Sequence, residues 1–326
     1  MKAGRIFHRF ICTFLKRHPW GRILPSLIII ILFASDSASS GKQDSITIYA
    51  PATPTSIPLI LAAQNLPGTR VHIFVNHSQA HCLFLRNEIS ILSTGLSVGV
   101  SFYRQQVPVV ILNSYVSGLT YLVARKKKVS AFKDLKGEKI YLPFPGSPVE
   151  ETTRYFIEQE KLRWKEDVQI GYADPDTAAQ LLQHGRIAAA ALPEPFAGLA
   201  ARVPGIHVSL NYMALWARHT GVGTGYPQIG LFAKRDWAEN NSFYIQRLNH
   251  ELTKAVEWIS SFPEAACEKA RPYFQFSEDI LCSAIRNVAF RSLNSDQLKN
   301  EIKNYYQTVG NPLDEGFNEF FYTGPQ

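Results

Sequence analysis

Two stretches of this chain run through the same order of short apolar strands and helical segments, and that repeat constrains the fold more than any single motif. From Ser45, strand patterns are read at 46–50, 71–75, 89–92 and 109–112, with helical patterns between them at 55–65, 78–86 and 96–106. The order returns with strands at 139–143, 168–172, 187–192 and 207–210 and helices at 148–162, 177–184 and 195–201. Strands alternating with helices predict an α/β fold with parallel pairing. In each half the first strand runs into a Pro-rich turn, Pro51-Ala52-Thr53-Pro54-Thr55-Ser56 and Pro143-Phe144-Pro145-Gly146-Ser147-Pro148. Two similar lobes are therefore expected; one large doubly wound sheet is the alternative.

Two apolar segments flanked by basic residues, 121–125 and 227–234, bracket the second half. They read as two crossings between lobes, with the second lobe inserted into the first. Residues 41–124 and 227–326 would form lobe one and 125–226 lobe two. From Ser242 the pattern is helical, at 243–262, 264–273, 277–290 and 296–308, a tail expected to pack on lobe one.

The first forty residues read as a secretory leader. Six basic side chains precede or flank a twelve-residue apolar run, 23–34, which is shorter than the roughly 20 residues that span a bilayer. Ala38 and Ser40 suit a signal peptidase, with cleavage after Ser40; an uncleaved anchor is the alternative. The leader also explains the net charge of +7. Residues 41–326 hold 28 basic and 26 acidic side chains, a net +2, which leaves no basic footprint for nucleic acid. Beyond Cys12, three cysteines remain, Cys82, Cys267 and Cys282, and an odd number cannot all pair within one chain. Cys267 and Cys282 lie on successive predicted helices, close enough in sequence for a bridge in an oxidising compartment; buried free thiols are the alternative.

The turn at Pro143–Pro148 leads into a helix with clear start signals. Ser147 is placed to cap it, Pro148 suits its first position and Glu150 completes a capping box. A helix that starts directly after a strand aims backbone N–H groups and partial positive charge at whatever lies in front of it, and Gly146 leaves that approach free of a side chain.

The run "DLKGEKIYLPFPGSP", followed by "LLQHGRIAAAALPEPFAGLA" and preceded by "SGLTYLVARK", resembles the substrate-binding proteins of ABC importers, in the nitrate, sulfonate, taurine and thiamine-precursor group. The resemblance covers about residues 46–273. It implies a two-lobed clamp of the type II periplasmic-binding-protein kind, each lobe a mainly parallel sheet flanked by helices. Carried over residue by residue, it implies ligand contacts at Thr53, Thr55 and Ser56, at Ser93 and Thr94, and at Asn113, Ser114 and Tyr115 in lobe one. In lobe two it implies Phe144, Gly146, Ser147 and Glu194, with Tyr226 near the second crossing. Open α/β sheets bind ligands beyond the carboxyl ends of their strands, which agrees. Glu194, between Pro193 and Pro195, has two readings, a contact to a ligand amine or a lobe-closing group.

The remaining signals are weak. His77 and His81, four apart, have a chelating spacing but no accompanying Glu, and read as solvent-exposed. The glycines at 221–225 read as a flexible loop and Lys126-Lys127-Lys128 as a solvated surface. No Walker lysine motif, CxxC or G-x-S-x-G elbow occurs, so no catalytic residue, metal or cofactor is expected. The expectation is a monomeric, periplasmic solute-binding protein that hands a small organic anion or heterocycle to a permease driven by an ATPase subunit. Its rivals are an enzyme on the same fold, of the menaquinone-pathway or pyrimidine-synthase kind, and a membrane-anchored sensing module.

Overall fold

The computed structural model describes residues 45–324. The leader, Cys12 and the cleavage site therefore lie outside the described residues. No helix of the described residues is long and apolar enough to cross a membrane.

The first half opens with β1 (Ile46–Pro51), α1 (Ile57–Gln64), β2 (Thr69–Phe74), α2 (His77–Leu85), β3 (Ile91–Gly95), α3 (Leu96–Arg104) and β4 (Val109–Gly118). The second half runs through β5 (Thr120–Arg125), β6 (Lys139–Leu142), α4 (Pro148–Gln159), β7 (Gln169–Tyr172), α5 (Pro175–Gln183), β8 (Ala189–Pro193), α6 (Phe196–Ala200), β9 (Ile206–Asn211) and α7 (Tyr212–Thr220). The chain then returns through β10 (Ile229–Lys234) to α8 (Arg235–Asn240), α9 (Ser242–Ser261), α10 (Pro263–Ala270), α11 (Glu278–Asn287), β11 (Ala289–Leu293) and α12 (Ser295–Thr308).

These strands form two sheets, ordered β11-β4-β10-β3-β1-β2 and β7-β6-β8-β5-β9. Without the edge strand β11, both sheets have the same plan. The second strand of the lobe lies at the edge, then come the first and third, then a strand contributed by a crossing, then the fourth. The crossing strands β10 and β5 run antiparallel to both of their neighbours. The sheets are therefore mixed, and parallel pairing is confined to β2-β1-β3 and β7-β6-β8. An apolar run marks a strand but not its direction, so the expected mainly parallel sheets become mixed ones.

The segment at 121–125, expected as a crossing between lobes with lobe one running to residue 124, is a full member of the second sheet through β8 and β9. We propose to divide the lobes at Leu119 and within residues 221–228, a few residues from the boundaries read in the sequence. All ten residues of β4 are buried, as a strand covered on both faces requires. Helix α9 packs on α1, β4 and β11, so the tail does cover the first sheet. That tail is not wholly helical: α11 stops at Asn287 and β11 joins the edge of the sheet beside β4.

Cys267 and Cys282 are joined, with Cα atoms 5.2 Å apart, and the bridge ties α10 to α11. Cys82 is free and exposed.

Candidate functional site

The carboxyl ends of β1 and β3 and the middle of β4 in the first sheet, and the carboxyl ends of β6 and β8 in the second, carry the residues named above apart from Tyr226. Thr53 and Thr55 share a hydroxyl–hydroxyl bond of 2.8 Å, and Ser56 Oγ donates to the Pro51 carbonyl. At the end of β3, Ser93 pairs with the Tyr115 hydroxyl, and Thr94 Oγ1 lies 3.0 Å from His81 Nε2. Asn113 Nδ2 donates to Asn249 of α9 at 2.6 Å, while Ser114 donates to the Ile229 carbonyl at 2.8 Å. Ser56, Ser93, Asn113 and Tyr115 are fully buried. Burial pushes the Tyr115 phenol up despite its bond to Ser93, so it stays neutral.

His81 is half-buried and bonded, not solvent-exposed as its polar helix suggested. Burial lowers its imidazole to about 4, helped by repulsion from His77, whose ring centroid is 6.1 Å away. At neutral pH His81 is therefore an uncharged partner of Thr94.

On the other sheet, Ser147 caps α4 as expected: its Oγ accepts from Glu150 N–H at 3.1 Å. Glu150 in turn accepts from Gly146 N–H and from the Tyr172 hydroxyl, the latter at 2.6 Å. A Cβ on Gly146 would meet nothing within 4 Å; its φ of +74° is what calls for glycine. Phe144 is half-buried beside this turn.

The two sheets meet here. Ser97 Oγ, in the first turn of α3, donates to the Gly146 carbonyl at 2.7 Å. A Cβ on Gly95 would come within 2.8 Å of the Pro148 ring, so the approach of the lobes leaves no room for a side chain there. Tyr226 lies on the second crossing and stacks on Tyr305 of α12, with centroids 5.5 Å apart. Its hydroxyl faces the side chains of Thr152 and Gln228. Thus Thr94, Gly146, Ser147 and Tyr226 are brought close to one another by β3, α4 and the second crossing.

A second group of residues gathers on α11. Glu194 accepts from Asn287 Nδ2 at 2.8 Å and from Gly198 N–H at 3.1 Å, and burial raises its carboxyl above the usual range despite both bonds. The Tyr121 hydroxyl donates to the Asn287 carbonyl at 2.8 Å, and Arg202 pairs with Asp279. Glu194 is thus engaged by protein groups across the lobes, and the Thr53–Ser56 turn also packs on α11. Asn113 and Tyr115 are directed into α9 and Ser93, apart from both groups.

Sequence reasoning placed His81 in solvent and missed Ser97, Gln228 and the Glu150–Tyr172 pair, since each gains meaning from a partner elsewhere in the chain. Among the described residues no group of three or more His, Cys, Asp or Glu is placed to hold a metal ion.

Solved structures with this fold include the periplasmic aliphatic sulphonate-binding protein SsuA of Escherichia coli, at 17% identity and TM-score 0.67, covering 87% of this chain and 93% of that one. The ligand-binding component of an ABC-type import system from Staphylococcus aureus, solved with zinc bound, matches at 13% identity and TM-score 0.70, over 86% and 97% of the two chains. The periplasmic nitrate-binding protein NrtA of Synechocystis PCC 6803 matches at 13% and 0.64, over 78% and 74%. At such identities the likeness is one of fold: an α/β protein of two lobes, as in type II periplasmic binding proteins. No curated protein matches the sequence. A family model matches residues 76–271, from the start of α2 to just past α10 and across both sheets, and on that match the chain belongs to the NMT1-like family.

Proposed function

We propose that this protein is the extracytoplasmic solute-binding component of an ABC importer. It takes a small ligand between its lobes and presents the closed form to a membrane permease whose ATPase subunit supplies the energy. The observation that carries this reading is the meeting of two like-ordered sheets at their polar strand ends, where Ser97 reaches Gly146 beside the crossing that holds Tyr226. Two crossings form a hinge, and hinge closure around a ligand is the motion this architecture permits. The sulphonate- and nitrate-binding neighbours support the class of function, and of the residues named in the sequence the ligand contacts in this reading are Thr94, Gly146, Ser147 and Tyr226.

Export belongs to the same reading. Residues 1–40 would be removed and the mature protein would act as a monomer in the periplasm; the location is supported by SsuA and NrtA, which are themselves periplasmic. Mass spectrometry of the exported protein should give an N-terminus near Gly41; an intact Met1 would favour the anchored module.

Small-angle scattering tests the clamp directly. Titration with a panel of small sulfonates, amides, amines and heterocycles should find a compound that lowers the radius of gyration at saturation. If a compound binds with no change in radius, the closing clamp is the wrong description. Turnover of a bound compound would point instead to an enzyme on this fold.

A further inference from the structure

Buried polar atoms in folded proteins almost always have hydrogen-bond partners. Four side-chain atoms on the two crossing segments do not: Ser117 Oγ, Thr120 Oγ1, Tyr226 Oη and Gln228 Oε1. Each of these residues is at most 2% exposed. The backbone holds the segments side by side, with Tyr226 N–H donating to the Ser117 carbonyl at 3.1 Å and Gln228 N–H to the Val116 carbonyl at 2.9 Å.

Two of the four atoms sit where the lobes meet. Tyr226 Oη faces the Thr152 and Gln228 side chains but lies outside hydrogen-bond geometry with both, and the Thr152 hydroxyl donates to the Pro148 carbonyl at 2.9 Å. The Gln228 carbonyl accepts from Leu96 N–H at 2.8 Å, which anchors that residue to the start of α3. Unpartnered atoms therefore lie near the start of α3 and the second turn of α4.

Their chemistry restricts what they can hold. The amide oxygen of Gln228 only accepts; the hydroxyl of Tyr226 donates and accepts. Among the described residues no fully buried cation stands beside them to take an anion. The one buried basic side chain among the described residues, Lys234, lies over the Phe84 ring at the far end of β10. The start of α4 is closed to anions as well, since Glu150 already takes the Gly146 N–H and Glu151 follows it in the first turn.

Resting on the clamp reading above, we propose that Tyr226 and Gln228 form the subsite for the ligand's head group, and that this group is neutral and both donates and accepts hydrogen bonds, as a carboxamide does. The protein is then selective against sulfonates and other anions.

Benzamide and benzenesulfonate make a matched pair of probes, with one ring and two head groups. Thermal melts and calorimetric titration of the mature protein at millimolar probe should show stabilisation by benzamide and none by benzenesulfonate. Tyr226→Phe keeps the ring against Tyr305, and Gln228→Leu keeps approximate volume. Each variant without probe should melt at or above the parent, because an unpaired buried polar atom has been removed. Each should bind benzamide roughly tenfold more weakly, a loss of about 1.4 kcal/mol. Variants that melt below the parent would mean that Tyr226 and Gln228 satisfy each other, which overturns the subsite. Stabilisation by benzenesulfonate, or no response to benzamide, overturns the head-group class. If benzenesulfonate also contracts the protein in scattering, the clamp stands and only this inference falls; if no compound of the wider panel contracts it, the clamp itself falls.

Discussion

Ser97 Oγ donates to the carbonyl oxygen of Gly146, 49 positions further along the chain, and so joins the first turn of α3 in one lobe to the turn before α4 in the other. A hydrogen bond of this kind contributes about 1 kcal/mol net. Ser97→Ala should therefore move the open–closed balance roughly fivefold toward open. The measurement is a distance distribution between labels on the two lobes, which should broaden toward longer separations; an unchanged distribution would show that closure does not depend on this contact.

Gly146 and Ser147 are adjacent, yet substitutions at the two should fail for different reasons. Gly146→Ala must hold a left-handed backbone at a cost of about 1–2 kcal/mol, with no steric clash. Gly146→Asn should recover part of that. Ser147→Ala loses the cap on α4 and about 1 kcal/mol. Denaturant midpoints for the three variants would separate backbone strain from capping.

The Cys267–Cys282 bridge closes a span of 15 residues between α10 and α11. Replacing both cysteines with Ala should lower stability by about 2–4 kcal/mol. In the native protein without its leader, iodoacetamide should label Cys82 rapidly and neither of the other two; fast labelling of a second thiol would show that the bridge has not formed.

Two half-buried groups should oppose each other in the pH profile. His81, at about 4 in the folded protein, faces Thr94 and His77; since the unfolded value is near 6.5, its contribution to stability is complete above pH 6.5 and lost as pH falls toward 4. Burial raises Glu151 to about 7 against its bond from Tyr305 and the charges of Arg154 and Arg104, while Glu150 adds to the rise; its protonated form favours folding, and that contribution is lost as pH climbs from 4.5 to 7. Between pH 4.5 and 6.5 the two slopes offset. His81→Gln should make stability fall with rising pH relative to the parent, and Glu151→Gln should make it rise, each with a limiting slope of about tenfold per pH unit in the unfolding equilibrium. Parallel profiles for parent and variants would contradict both assignments.

Much of the fold was legible because strand–helix alternation and cap chemistry are local. Ser147, Pro148 and Glu150 mark the start of α4 by their chemistry alone. Helix α7 was overlooked although its signals were present, with Asn211 capping Met213 and Ala214 and Gly221 ending it in a left-handed turn. The apolar stripe Leu281, Ala284 and Ile285 runs on to Val288, so β11 was absorbed into the preceding helix; the edge of the sheet takes those residues instead. Strand direction could not be read, since an apolar run is the same in both orientations. The candidate site was legible at the strand ends, where turn residues and small polar side chains cluster. Its members with partners elsewhere in the chain were not: Ser97 became meaningful through Gly146 of the other lobe, His81 through Thr94 and Gln228 through Leu96.

The strand that each crossing contributes also sets the order in which the lobes can be completed. Everything the second sheet needs lies between Thr120 and Asn211 in one unbroken stretch, so that sheet is whole as soon as its own residues are available. The first sheet has no such independence. With residues up to Gly118 alone it consists of β2-β1-β3 and a detached β4, and β10 must slot between β3 and β4 before they belong to one structure. The inserted lobe can thus mature alone, while its host stays divided until the chain has travelled through the guest and come back.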